Sequence, residues 1–151
     1  MISNKTKYGL HALFYLSRKF NQGPVLIADL AEEEGIPKKF LEQILLDLKR
    51  QGILDSKKGK GGGYRLGRHP REIKMGHVIR ILDGPLAPVS CVSQSAYQRC
   101  KECKDEYSCG IRLVMKDVRE AMAKILDNTS LEDVLNKVKN SNEETMANFH
   151  I

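Results

Sequence analysis

Apolar positions recur at helical spacing along most of this chain. Residues 8–20 carry Leu10, Ala12, Leu13, Phe14 and Leu16, with no Gly or Pro after Gly9, which predicts a helix with a broad apolar face. Asn21-Gln22-Gly23-Pro24 ends it. Val25 and Leu26 suit a very short strand. A second helix is expected over about residues 27–34, with Leu30 and Ala31 inward and Gly35 stopping it in a tight turn. Pro37 suits the first position of a third helix, whose Leu41, Ile44, Leu45 and Leu48 form one apolar stripe before Gly52. Two helices joined by a short Gly-containing turn make a helix-turn-helix pattern.

The pattern then changes. Residues 53–56 and 64–66 are short alternating runs on either side of Lys57-Lys58-Gly59-Lys60-Gly61-Gly62-Gly63, which reads as a β-hairpin with a basic, glycine-rich tip. A short helix follows over residues 73–83, and Gly84-Pro85-Leu86-Ala87-Pro88 breaks the chain. Beyond a cysteine-bearing loop, Ile111, Val114, Val118, Ala121 and Ile125 recur at spacings of three and four, beside Met115 and Met122. That is a coiled-coil-like seam, about 28 Å long for a helix over residues 109–127. A homodimer interface explains it better than folding back on its own domain. Thr129 followed by Glu132 suggests a capping box for a last helix over residues 130–138, with a disordered polar tail from Lys139.

The expected fold is therefore mainly α with a small β-hairpin: a winged helix-turn-helix plus a long C-terminal dimerisation helix. Residues 1–83 form the winged helix-turn-helix domain, 84–110 the cysteine-rich loop, 111–138 the dimerisation and final helices, and 139–151 the tail. A chain of 151 residues can bury a core of its own, and 41% hydrophobic with 29% charged residues is a globular composition. No apolar run approaches the roughly 20 residues of a membrane span, so no membrane partner is expected. The first residues lack the apolar core of a secretion signal, which places the expected protein in the cytoplasm.

Charge divides the chain. Residues 1–80 hold 16 Lys+Arg against 8 Asp+Glu, whereas residues 81–151 hold 9 against 11. A basic front half suits a polyanion such as double-stranded DNA. In a winged helix-turn-helix the second helix enters the major groove, and here its early polar residues are Lys38, Lys39, Glu42 and Gln43. Lys can read guanine, Gln adenine, and Glu can accept from cytosine. Lys57, Lys58 and Lys60 charge a wing whose glycines allow close approach to phosphate, with Arg65 and Arg68 flanking it. The glycine run fits neither a P-loop nor a dinucleotide fingerprint. No Ser/His/Asp or Cys/His arrangement supports hydrolysis, and the basic wing argues against an electron-transfer or redox enzyme built on the chain's cysteines, so a regulator rather than an enzyme is expected.

Four cysteines crowd 19 residues as Cys91-x8-Cys100-x2-Cys103-x5-Cys109. In a reducing compartment such thiols serve as metal ligands or redox groups rather than structural disulfides. An iron–sulfur cluster tolerates this irregular spacing and is favoured. Zinc prefers two close ligand pairs, and only Cys100 and Cys103 make one. A dithiol switch through the same two is the third possibility.

Several stretches resemble one family. Tyr8-Gly9-Leu10-His11-Ala12-Leu13, the run from Ile36 to Leu45, Gly59-Lys60-Gly61-Gly62-Gly63-Tyr64-Arg65-Leu66, Cys91 and Cys109-Gly110-Ile111-Arg112 are similar to the iron–sulfur cluster regulators of bacterial transcription, the IscR/NsrR/RirA type. The resemblance covers roughly residues 1–138. It implies a homodimer on a partly palindromic promoter site, with a 2Fe–2S or 4Fe–4S cluster in the cysteine loop that reports iron–sulfur status, oxygen, nitric oxide or redox state. By that resemblance Lys39, Glu42, Gln43 and Lys58 contact DNA, and Cys91 and Cys109 ligate the cluster. The middle ligand is open between Cys100 and Cys103. Where some relatives carry a ligating His after the last Cys, this chain has Arg112, which leaves the fourth cysteine or His11 as candidates.

Overall fold

Ser3 opens the first helix by accepting a hydrogen bond from Thr6 N–H at 3.2 Å, while its own N–H donates to Asp83 at 2.9 Å. In the computed structural model, which describes residues 2–149, this helix is α1 (Asn4–Arg18). It is followed by α2 (Ile27–Glu34), α3 (Lys38–Arg50), β1 (Leu54–Lys57), β2 (Gly63–Leu66), α4 (Met75–Asp83), α5 (Gly110–Leu126) and α6 (Leu131–Phe149). Single 3-10 turns at Pro70–Glu72 and Ser90–Val92 lead into α4 and the cysteine loop. Gly35, at φ +64°, closes α2 in the left-handed region that an L side chain rarely adopts.

The apolar stripes meet as their spacing requires. Leu13, Leu30, Leu41, Ile44, Leu45, Leu48, Ile53, Ile73 and Val78 are fully buried in one core spanning α1–α4 and the hairpin. Each such side chain contributes roughly 1.5–3 kcal/mol of burial relative to exposure. The two strands pair antiparallel, Leu54 opposite Leu66 and Lys57 opposite Gly63. Val25, the expected short strand, makes one bridge to Tyr64 through two 2.8 Å hydrogen bonds.

The C-terminal part departs from the sequence expectation in two respects. The capping box is shifted by one residue: Ser130 Oγ accepts from Asp133 N–H at 3.0 Å, and Asp133 accepts from Ser130 N–H at 2.8 Å. Thr129 instead donates its hydroxyl to Ile125 C=O at 2.7 Å. Either pair has the right spacing, and docking decides. Leu131 N–H reaches Ile73 C=O at 3.0 Å and its side chain is fully buried in the winged-helix core. The second departure is the tail. The last helix does not end at Val138 but runs to Phe149, so residues 139–149 are helical rather than disordered. They contain no Gly or Pro, and a helix already nucleated by a docked, capped first turn propagates through polar residues without an apolar face. Positions 150–151 of the expected tail lie outside the described residues.

α5 is the exception to the packing. None of its residues is buried, and Ile111, Leu113, Val114, Val118 and Ile125 are exposed. It is fastened to the rest of the chain by polar bonds at both ends.

Candidate nucleic-acid interface and cysteine-lined cavity

The third helix buries one side and offers the other. Leu41, Ile44, Leu45 and Leu48 face the core, which turns Lys38, Lys39, Glu42 and Gln43 outward, all exposed near the helix start. Phe40 is exposed with them at 58%, resting edge-on against Tyr8 with ring centroids 6.5 Å apart. Lys5, Lys39, Phe40 and Gln43 line one shallow concavity. Reading the apolar stripe missed Phe40 and Lys5. Phe40 did carry a signal, since an aromatic off the buried stripe and among lysines has no core to fill. Lys5 carried none, because α1 brings it alongside α3 only in the folded chain.

The wing projects Lys58 and Lys60 at an exposed tip, with Lys57 exposed at the end of β1. Gly59 and Gly61 turn the tip with positive φ, and Gly62 N–H closes it onto Gly59 C=O at 3.0 Å. Arg65 is exposed on β2 and stands across from Asp55. The expected interface residues thus share an exposed basic helix face and a basic hairpin, both carried on one core.

The four cysteines, scattered over two turns and a loop, line one cavity of about 450 Å³ at the start of α5. Val89, Ser90, Glu102, Glu106, Ile111 and Arg112 complete its wall. Cys91, Cys103 and Cys109 are half-buried and Cys100 is exposed; all four are free thiols. Local polar bonds build the site. Arg112 donates to Cys91 C=O at 3.3 Å, Arg119 to Val92 C=O at 2.5 Å, and Arg99 to Cys103 C=O at 3.3 Å. Cys109 caps α5 without a side-chain bond, so the positive end of the helix dipole lies at the cavity. Burial, then the neighbouring Cys109 thiol, pushes the Cys103 thiol above its ordinary value, with Arg99 opposing.

Four sulfur donors on one cavity suit a thiolate-ligated cluster in chemistry. Among the described residues, however, no three Cys, His, Asp or Glu side chains converge at metal-binding spacing, so a bound metal would draw the loop inward. His11 is not part of the cavity wall. It is exposed on α1, edge-on to Phe14 at 6.4 Å. Among the described residues no helix is long and apolar enough to cross a membrane.

Comparison with known proteins agrees with this architecture. Residues 2–137 match the family Rrf2, described as "Iron-dependent Transcriptional regulator". The chain is 42% identical over 138 residues to the rrf2-like HTH-type transcriptional regulator of Rhodobacter capsulatus, covering 89% of this chain and 92% of the relative. It is 32% identical over 145 residues to the HTH-type transcriptional regulator CymR of Bacillus subtilis, covering 96% of each. The structure of CymR, titled the global cysteine regulator of B. subtilis, superposes with a TM-score of 0.76 at 31% identity, over 91% of this chain and 97% of that one. The T. potens IscR structure gives 0.74 at 30% identity, over 93% and 90%. These relatives are regulators rather than enzymes, and the chain belongs to the Rrf2 family of winged-helix transcriptional regulators.

Proposed function

We propose that this protein binds promoter DNA as a homodimer and that the cysteine cavity sets its DNA affinity by holding an iron–sulfur cluster. One observation carries the sensor reading: four thiols spread over 19 residues open onto a single cavity at the N-terminal end of α5. Cys91 and Cys109 hold the cluster at the two ends of the loop. Cys103, half-buried beside Cys109, is the third ligand, and the exposed Cys100 is the fourth. A bound cluster supplies a link between thiolates that iron supply, oxidants or nitric oxide can make or break.

The chain's own residues carry that change to the DNA-facing side. Arg112 and Arg119 tie the loop backbone to α5. Asp127, at the end of α5, grips Arg80 of α4, and α4 packs against α1 and α3. Lys39, Glu42 and Gln43 on α3 face base edges, and Lys38, Lys57, Lys58, Lys60 and Arg65 face the backbone. The bare apolar side of α5 supports pairing with a second copy, which would present two such faces to half-sites about 34 Å apart.

The test is anaerobic purification with visible absorption, iron and sulfide counts, and DNA binding at fixed salt. Cys91→Ala, Cys103→Ala and Cys109→Ala each abolish colour and iron, and cluster loss shifts promoter affinity roughly 5–150-fold. Colourless, iron-free anaerobic protein overturns the cluster. A second reading, a thiol switch, is favoured by the Cys103–Cys109 contact and by the solved "oxidized form" of Staphylococcus aureus CymR. It would give iron-free protein whose DNA affinity changes with dithiothreitol.

A further inference from the structure

Besides Glu42, a second carboxylate, Asp47, lies off the buried stripe of α3, where a DNA-facing surface should repel it. Asp47 is about one-quarter exposed and holds three neighbours. Gln43 Nε2 donates to its Oδ1 at 3.0 Å, Lys5 Nζ donates to its Oδ2 at 3.2 Å, and Arg50 lies 3.9 Å from Oδ1. Two cations against one carboxylate leave the group net positive, so Asp47 brings no net negative charge to the DNA-facing side of α3.

The chemistry of the Gln43 amide gives this arrangement a consequence. A carboxylate only accepts, so it fixes which end of the amide turns toward it: nitrogen in, oxygen out. The amide nitrogen carries two hydrogens. With the one trans to Oε1 given to Asp47, the other hydrogen and Oε1 remain side by side. Adenine presents N7 as acceptor and N6 as donor in the major groove, the complement of that pair. A free surface glutamine samples several rotamers and both amide orientations, and ordering it on binding costs affinity.

We infer that Asp47 is a positioning residue that locks Gln43 in the orientation reading adenine, with Lys5 neutralising the carboxylate from α1. The inference rests on the proposed DNA-binding function and adds a base to it: an A·T pair at one position of each half-site.

A randomised duplex pool selected on the full-length protein at fixed salt, then sequenced, tests both levels. The wild type enriches a two-fold motif with adenine at one position per half-site. Gln43→Ala and Asp47→Ala each reduce preference at that position about tenfold and leave the other positions unchanged. Asp47→Asn, whose amide oxygen still accepts from Gln43, retains the preference. Lys5→Ala weakens binding to all duplexes alike and keeps the motif. Thermal melts in parallel report whether each variant is folded. If Asp47→Ala is folded and selects the wild-type motif, Asp47 is only a helix-surface residue and the inference falls. If the folded wild type enriches no motif, the DNA-reading function falls with it.

Discussion

Arg80 and Asp127 form a two-pronged ion pair, Nη1 to Oδ1 at 2.6 Å and Nη2 to Oδ2 at 2.9 Å, that joins α4 to the end of α5. Since α5 buries no residue of its own, this pair and the arginine bonds at the cysteine loop do the work that apolar packing does elsewhere. Gly76 makes room for it, because a Cβ there would strike the Asp127 carboxylate.

The pair has an acid signature. The Arg80 hydrogen bonds hold the Asp127 carboxyl below its ordinary value, against the opposing effect of burial. A depressed folded value means the stabilisation is complete above the unfolded value of about 4 and disappears as pH falls through the lowered one. Both side chains are 40% exposed, so solvent screening limits the gain to about 1 kcal/mol at most. Asp127→Asn should lower the urea midpoint at pH 7 and flatten its fall below about pH 4. Gly76→Ala should reproduce the pH 7 loss.

The exposed apolar side of α5 makes the proposed homodimer testable. Val114→Glu with Val118→Glu should yield a folded monomer in sedimentation experiments, because neither side chain belongs to the core. Circular dichroism should be close to wild type, and DNA affinity should fall as the two half-sites uncouple.

In the wing, Gly63 has φ +141°, and a Cβ there would collide with the Val25 carbonyl. Gly63→Ala should break the Val25–Tyr64 bridge and cost about 1–3 kcal/mol. Hydrogen exchange at the Val25 and Tyr64 amides should accelerate more than at core helices.

Phe40 separates apolar from charged contributions to DNA binding. Phe40→Ala should leave the melting temperature nearly unchanged, since the ring is 58% exposed, yet weaken specific binding several-fold with an unaltered salt dependence. Lys58→Ala should instead reduce the salt slope by about one.

Local pattern accounts for much of this molecule. The stripe at Leu41, Ile44, Leu45 and Leu48, the stop at Gly35, the glycine wing and the crowding of four cysteines into 19 residues were all legible in the sequence, because each depends on neighbours a few positions away. Helix periodicity, caps and turn chemistry are short-range physics. The seam on α5 was legible for the same reason.

Tertiary structure decided what lies far apart in the chain. Ser130 rather than Thr129 caps α6 because Leu131 must reach the core beside Ile73, and that docked turn carries the helix on to Phe149. Burial distinguishes Cys103 from Cys100, a difference their spacing does not encode. Asp47 is a helix-surface carboxylate in the sequence and acquires Lys5 only when α1 crosses α3. Side-chain spacing along a helix is determined by covalent geometry. Which charges and thiols meet across helices depends on how the apolar faces pack, and that is a property of the whole chain.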